Sequence, residues 1–290
     1  MRKGILYVLI AATSWGMLPV IAGKIYAAGT GSLETAAVRA YLAALVFIGM
    51  GIRYRRQILT IRLRHLPFYA CYGLIAITGL YVVYLSAIQL ISGAMACTLM
   101  YTAPAFVILF SRLIYKEPIT RRKLVGICVT FVGCALVVRL YDSQALVMNA
   151  RGIFLGILSG LCYSSLTVFG RKGITLYSSD LNTILPAVFG AFFMLFIKPP
   201  WQIPCTLHLA GLYFMLALIG SVIPYLFYMK GLQSGLEGGL ASIVATFEPV
   251  AASLFSALFM GDRLSVVQIA GILLVVAGAS IPLMPQKNRD

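Results

Sequence analysis

An all-α integral membrane protein with ten transmembrane helices, built as two inverted five-helix repeats, is predicted by three observations. The chain of 290 residues is 61 % hydrophobic and only 11 % charged, with a mean hydropathy of +0.95, whereas soluble domains carry about 25 % charged residues. Apolar runs of bilayer-crossing length, about 20 residues each, recur from end to end. Particular residues of the first half also return, in order, in the second. The composition excludes a soluble enzyme or a disordered tail, and ten spans leave only short connections between them.

The spans are read from apolar runs punctuated by charge, Gly or Pro. They fall near 4–23, 35–52, 67–88, 92–114, 123–140, 152–170, 181–197, 207–229, 238–260 and 264–284. The first follows Met1-Arg2-Lys3 and is longer than the apolar core of a signal peptide, so it is expected to stay as a span.

Net charge is +15, from 23 Lys and Arg against 8 Asp and Glu. Seventeen of the basic residues fall on one side if the N-terminus is placed inside, among them Arg53, Arg55, Arg56, Arg62, Arg64, Lys116, Arg121, Arg122 and Lys123. Five fall on the other side, Lys24, Arg139, Arg151, Lys198 and Arg263, and Arg39 lies within span 2. That asymmetry predicts both termini in the cytoplasm and assigns the basic loops to the lipid surface, not to nucleic acid. Six cysteines, at 71, 97, 128, 134, 162 and 205, lack CxxC or metal-ligand spacing and are expected as buried thiols. His65 and His208 lie apart, in or near loops, so no metal site or cofactor is expected.

The repeat is legible residue by residue. Gly4, Ile5 and Lys24 meet Gly152, Ile153 and Lys172 at an offset of 148 residues. Tyr81, Tyr84 and Gln89 return as Tyr225, Tyr228 and Gln233 at 144, and Pro104, Glu117, Gly126 and Gly133 as Pro249, Asp262, Gly271 and Gly278 at 145. A duplicated unit of five helices, 1–146 and 147–290, must enter the membrane in opposite orientations, an arrangement that suits alternating access.

These motifs, with Ser14-Trp15-Gly16 and Arg39, resemble the EamA repeat of the drug/metabolite transporter superfamily over nearly the whole chain. The resemblance implies a central cavity lined by spans 1, 3, 4, 6, 8 and 9, and a secondary carrier of the bacterial inner membrane, often an exporter of amino acids, other metabolites or drugs. Its motifs specify the fold far better than the substrate. The second copy has Cys162-Tyr163-Ser164 where the first has Ser-Trp-Gly, and Asp262 for Glu117, so the two halves of the cavity are expected to be chemically unequal.

Seven of the eight carboxylates, Glu34, Glu117, Asp142, Asp180, Glu237, Asp262 and Asp290, fall in loops or at helix ends. Glu248 is the exception, about eleven residues into span 9. An ionisable group at that depth is costly and marks a proton-coupling candidate. Ala241, Ala245, Ala252 and Ser256 share its face as a stripe of small residues, which equally suits a carboxyl buried in a helix contact beside a kink at Pro249. Pro104 is the matching kink in the first copy. Arg39 is expected to anchor span 2 by reaching the interface, with pairing to Glu248 or to an anionic substrate group as the second role.

Trp15, Tyr81, Tyr84, Tyr101, Tyr163, Tyr225 and Tyr228 are the substrate-binding candidates, a wall of π-faces and hydroxyls; helix packing is the competing account. Gly152, Gly156 and Gly160 form a small-residue ladder expected to seat another helix. No G-x-x-x-x-G-K-[ST] loop for nucleotide occurs. The partners expected are a small-molecule substrate, the bilayer and protons, and the competing classes are a facilitative uniporter, an intramembrane enzyme or a non-transporting scaffold.

Overall fold

The computed structural model describes residues 2–53, 61–90, 96, 99–137, 150–261 and 264–283. Arg55, Arg56, Cys97, Arg139, Asp142, Asp262, Arg263, Lys287, Arg289, Asp290 and the side chains of Gln89 and Ser256 lie outside the described part. Helices account for almost all of it and no strand occurs among the described residues. In chain order they are α1 (Arg2–Gly16), α2 (Leu18–Ala27), α3 (Ser32–Arg53), α4 (Leu66–Gly73) and α5 (Leu80–Leu90), then α6 (Ala103–Tyr115) and α7 (Arg121–Val137). The second half holds α8 (Ala150–Leu176), α9 (Ser179–Met194), α10 (Leu207–Ala217), α11 (Ile223–Gln233), α12 (Gly238–Ala245), α13 (Glu248–Met260) and α14 (Val266–Ser280).

Six helical stretches among the described residues are long and apolar enough to cross a membrane: Arg2–Ala27, Ser32–Ile52, Leu63–Tyr84, Ala150–Leu176, Leu207–Gln233 and Gly238–Phe259. Ala103–Tyr115, Ser179–Met194 and Val266–Ser280 are shorter apolar helices. The surface agrees with a lipid surround. Large apolar side chains stand outward, Leu45 62 % and Phe196 76 % exposed, which water would penalise and acyl chains do not. Small polar residues turn inward and bond their own helix, as Ser159 Oγ does to the Gly156 carbonyl at 2.6 Å and Thr183 Oγ1 to that of Ser179 at 2.9 Å. The same inversion corrects the expectation for the thiols: Cys134 and Cys162 are buried, but Cys71, Cys128 and Cys205 are exposed. An apolar run does not reveal which of its faces meets lipid.

Irregularities recur 144 or 145 residues apart. A π-helical turn, Leu74–Gly79, joins α4 to α5, and another, Leu218–Val222, joins α10 to α11; their starts are 144 residues apart. The chain breaks at Tyr101-Thr102 before α6 and at Thr246-Phe247 before α13. α6 ends on Lys116 at φ 57° and α13 ends on Gly261 at φ 76°, 145 residues later. Glycine suits this left-handed cap, whereas a Cβ there is strained. Lys116→Gly is therefore expected to stabilise the protein by about 0.5–1 kcal/mol, seen as a higher unfolding temperature in detergent.

Helix contacts are set by glycine. A Cβ on Gly126 would lie 2.9 Å from the Gly278 carbonyl oxygen, and one on Gly133 would lie 2.8 Å from that of Gly271. α7 and α14 therefore run antiparallel, with the repeated glycines paired crosswise. The glycine ladder of α8 does seat a neighbour, because a Cβ on Gly156 would meet Leu99 at 2.6 Å and one on Gly160 would meet Thr102 Oγ1 at 2.5 Å.

Candidate functional site

The break in span 9 follows from Pro249. A proline nitrogen has no hydrogen to give the carbonyl four residues back, and just ahead of it the chain tightens to i to i−3 bonds, Thr246 N–H to the Ile243 carbonyl and Phe247 N–H to that of Val244, both 3.1 Å. Glu248 then opens α13 in its first turn, where free N–H groups and the helix dipole favour a negative charge. Ala241 and Ala245 belong to α12 and Ala252 to α13, so the stripe of small residues runs across this kink. Pro104 has the same effect in the first half, where Thr102 N–H bonds the Leu99 carbonyl at 3.1 Å and α6 begins at Ala103. Ala103 stands 145 residues before Glu248, so one half carries a methyl where the other carries a carboxyl.

Five of the seven aromatic candidates come together. Trp15 touches Tyr163, Tyr225 and Tyr228, with ring centroids 6.0, 5.7 and 5.7 Å away, distances at which edge-on contacts are favourable. The hydroxyls of Tyr81 and Tyr225, 144 residues apart in the chain, lie 3.4 Å from each other. Tyr228 bonds Thr167 through their hydroxyls at 2.5 Å. Trp15, Tyr81, Tyr225 and Tyr228 are buried and Tyr163 half-buried. Tyr101 is buried at the break before α6. Tyr84 packs against the same core and also against Ala87, Ala96, Leu99 and Leu155.

Arg39 reaches from α3 to the π-helical turn before α11. Its Nε donates to Ser221 Oγ at 2.8 Å, Nη2 donates to the Gly220 carbonyl, and the guanidinium lies 4.4 Å from the Tyr81 ring centroid. The cause lies in the π-helical turn. Its irregular hydrogen bonding leaves a carbonyl available on the inner face, and a cation stacked on an aromatic ring fills the vacancy. Glu248 lies within electrostatic range of Arg39 and beside Tyr163, whose hydroxyl is buried without a partner at full hydrogen-bond geometry. Replacing Arg39 by Lys loses the forked donor set. Transport by Arg39→Lys is expected to fall by about tenfold or more, and wild-type flux in that variant would remove Arg39 from the site.

Ser221, Gly220 and Thr167 were not legible as site residues: a lone hydroxyl or glycine within an apolar run carries no periodic signal. Among the described residues no group of three His, Cys, Asp or Glu side chains is disposed to hold a metal. The arrangement offers one acid, one guanidinium and an amphipathic aromatic wall, near neutrality overall. A groove of about 710 Å³ lies elsewhere, between α3, α9 and α10, lined by Tyr41, Leu45, Phe192, Leu195 and Phe214. Its walls are mostly apolar and face outward, which suits lipid more than a polar substrate.

A multi-pass helical membrane protein with an inward polar and aromatic site belongs in class with the membrane transporters. The sequence profile of EamA, the EamA-like transporter family, matches residues 2–139 and 150–284, and the chain belongs to that family. It is 24 % identical over 298 residues to the uncharacterized inner membrane transporter YicL of Salmonella typhimurium, covering 99 % of this chain and 97 % of that one. It is 21 % identical to an uncharacterized transporter of Clostridium kluyveri, covering 100 % and 96 % of the two chains. A solved crystal structure superposes with a TM-score of 0.81 at 16 % identity over 97 % of this chain and 96 % of the other, a likeness of fold.

Proposed function

We propose that the protein is a secondary carrier of small polar or amphipathic metabolites, such as amino acids, acting as an exporter across the bacterial inner membrane. Two units of five spans, 1–146 and 147–290, stand in opposite orientations with both termini in the cytoplasm. Support for the inversion comes from the crosswise pairs Gly126 with Gly278 and Gly133 with Gly271. The Tyr81–Tyr225 contact adds to it, since a residue that meets its own repeat equivalent lies at a pseudo-two-fold axis. Alternating access exchanges the conformations of the two units about that axis.

The observation that carries the reading is the unequal pair Ala103 and Glu248. The second half supplies a carboxyl at the kink, beside Tyr163 and within range of Arg39, as a proton-coupled carrier requires. An intramembrane enzyme would need a nucleophile and base, and Glu248 has neither a His nor a second acid among its contacts named above.

Flux of a panel of amino acids and amphipathic metabolites in proteoliposomes, with and without an imposed pH gradient, tests the reading. Accumulation that follows the gradient supports proton exchange. Equilibration alone makes the protein a facilitative uniporter, and absence of flux for every compound favours a scaffold.

A further inference from the structure

Four charged side chains gather where α6 ends and α7 and α12 begin. Arg171 of α8 pairs with Glu117, just after α6. Lys123, in the first turn of α7, pairs with Glu237 at 2.5 Å, immediately before α12. Arg171 also lies within electrostatic range of Glu237, so the two pairs form one cluster. Glu117 and Lys123 are buried. Lys123 Nζ further donates to the Pro118 carbonyl at 3.2 Å, and the Arg171 guanidinium lies 4.8 Å from the Tyr115 ring centroid.

The cluster is fitted to the start of α12. A Cβ on Gly238 would lie 3.0 Å from Arg171 Cδ and 3.2 Å from Ser111 Oγ, and one on Gly239 would lie 2.8 Å from Ile108 and 4.0 Å from Glu117 Oε2. The Glu117 carboxylate thus rests against the first turn of a helix from the other half, whose free N–H groups attract an anion. Both pairs cross from 1–146 to 147–290. The seam they cover leads inward: Thr167, one turn before Arg171 on α8, touches the Gly238 position and bonds Tyr228 of the aromatic cluster.

We propose that Glu117, Arg171, Lys123 and Glu237 form an ionic latch that closes the seam between the halves at this end, so that the aromatic site opens to this side only when the latch parts. The purpose assigned to it rests on the transporter reading; the closure itself does not. Removing one partner leaves a buried charge unpaired and favours the open seam.

The test reads access without transport. Cys162 is buried in α8, nine residues and roughly 13 Å along the helix from Arg171. With Cys71, Cys97, Cys128, Cys134 and Cys205 replaced by Ser, a membrane-impermeant maleimide is supplied to sealed vesicles from each side in turn. Glu117→Gln is expected to raise Cys162 labelling from the latch side by about fivefold or more, and Glu117→Arg combined with Arg171→Glu to return it toward wild type. Lys123→Gln, at the outer pair, should act in the same direction and guards against one variant failing to fold, which circular dichroism would reveal. Unchanged labelling in the folded variants overturns the latch, as does an equal rise from both sides, which would mean general loosening. Raised labelling in a protein that moves none of the panel compounds leaves the latch standing and refutes the carrier.

Discussion

Glu248→Gln is expected to abolish gradient-driven accumulation while leaving substrate able to equilibrate. With one proton exchanged per substrate, a gradient of one pH unit sustains a concentration ratio of about ten, because each unit is worth about 1.4 kcal/mol. The wild type should approach that ratio and the variant should fall to one. Glutamine keeps the volume and a hydrogen-bonding oxygen for Tyr163 but cannot exchange a proton. A folding defect would reduce equilibration too, so the two readouts separate coupling from structure. A variant that still concentrates substrate under the gradient returns Glu248 to a role in helix packing and removes the proton from the mechanism.

The consequence of that substitution depends on a position that hydropathy described only in part. Depth along the apolar run singled out Glu248, and Pro249 announced a kink. The i to i−3 bonds at Thr246 and Phe247, which set the carboxyl in the first turn of α13, leave no trace in composition. Tyr81 and Tyr225 were found by spacing, yet spacing does not say that the two hydroxyls meet. The partners of Arg39, the Gly220 carbonyl and Ser221 of a π-helical turn, were not legible, because a local change of helix pitch is not encoded in a run of apolar letters. Hydropathy thus made the all-helical membrane character legible, and spacing picked out five aromatics that the fold brings together, whereas the polar contacts between helices had to come from packing.

The glycine seam between α7 and α14 should be the most sensitive structural element. Within a bilayer, apolar surfaces gain nothing by leaving lipid for each other, so helix association depends on close fit. Here the fit is backbone to backbone: a Cβ on Gly133 would meet Val275 N at 2.7 Å, and one on Gly278 would meet Thr130 N at 2.7 Å. No flexible side-chain end can swing aside, so either helix must shift along its whole contact. Gly133→Val and Gly278→Val are each expected to cost about 2–3 kcal/mol, lowering the unfolding temperature in detergent by several degrees. Gly211 supplies the contrast, because a Cβ there meets nothing within 4 Å and α10 continues on both sides of it. Gly211→Ala should leave stability unchanged or raise it by about 0.5–1 kcal/mol through helix propensity. If Gly133→Val unfolds no earlier than Gly211→Ala, close α7–α14 contact is not what holds the halves together. The repeated Gly-x6-Gly would then need another explanation.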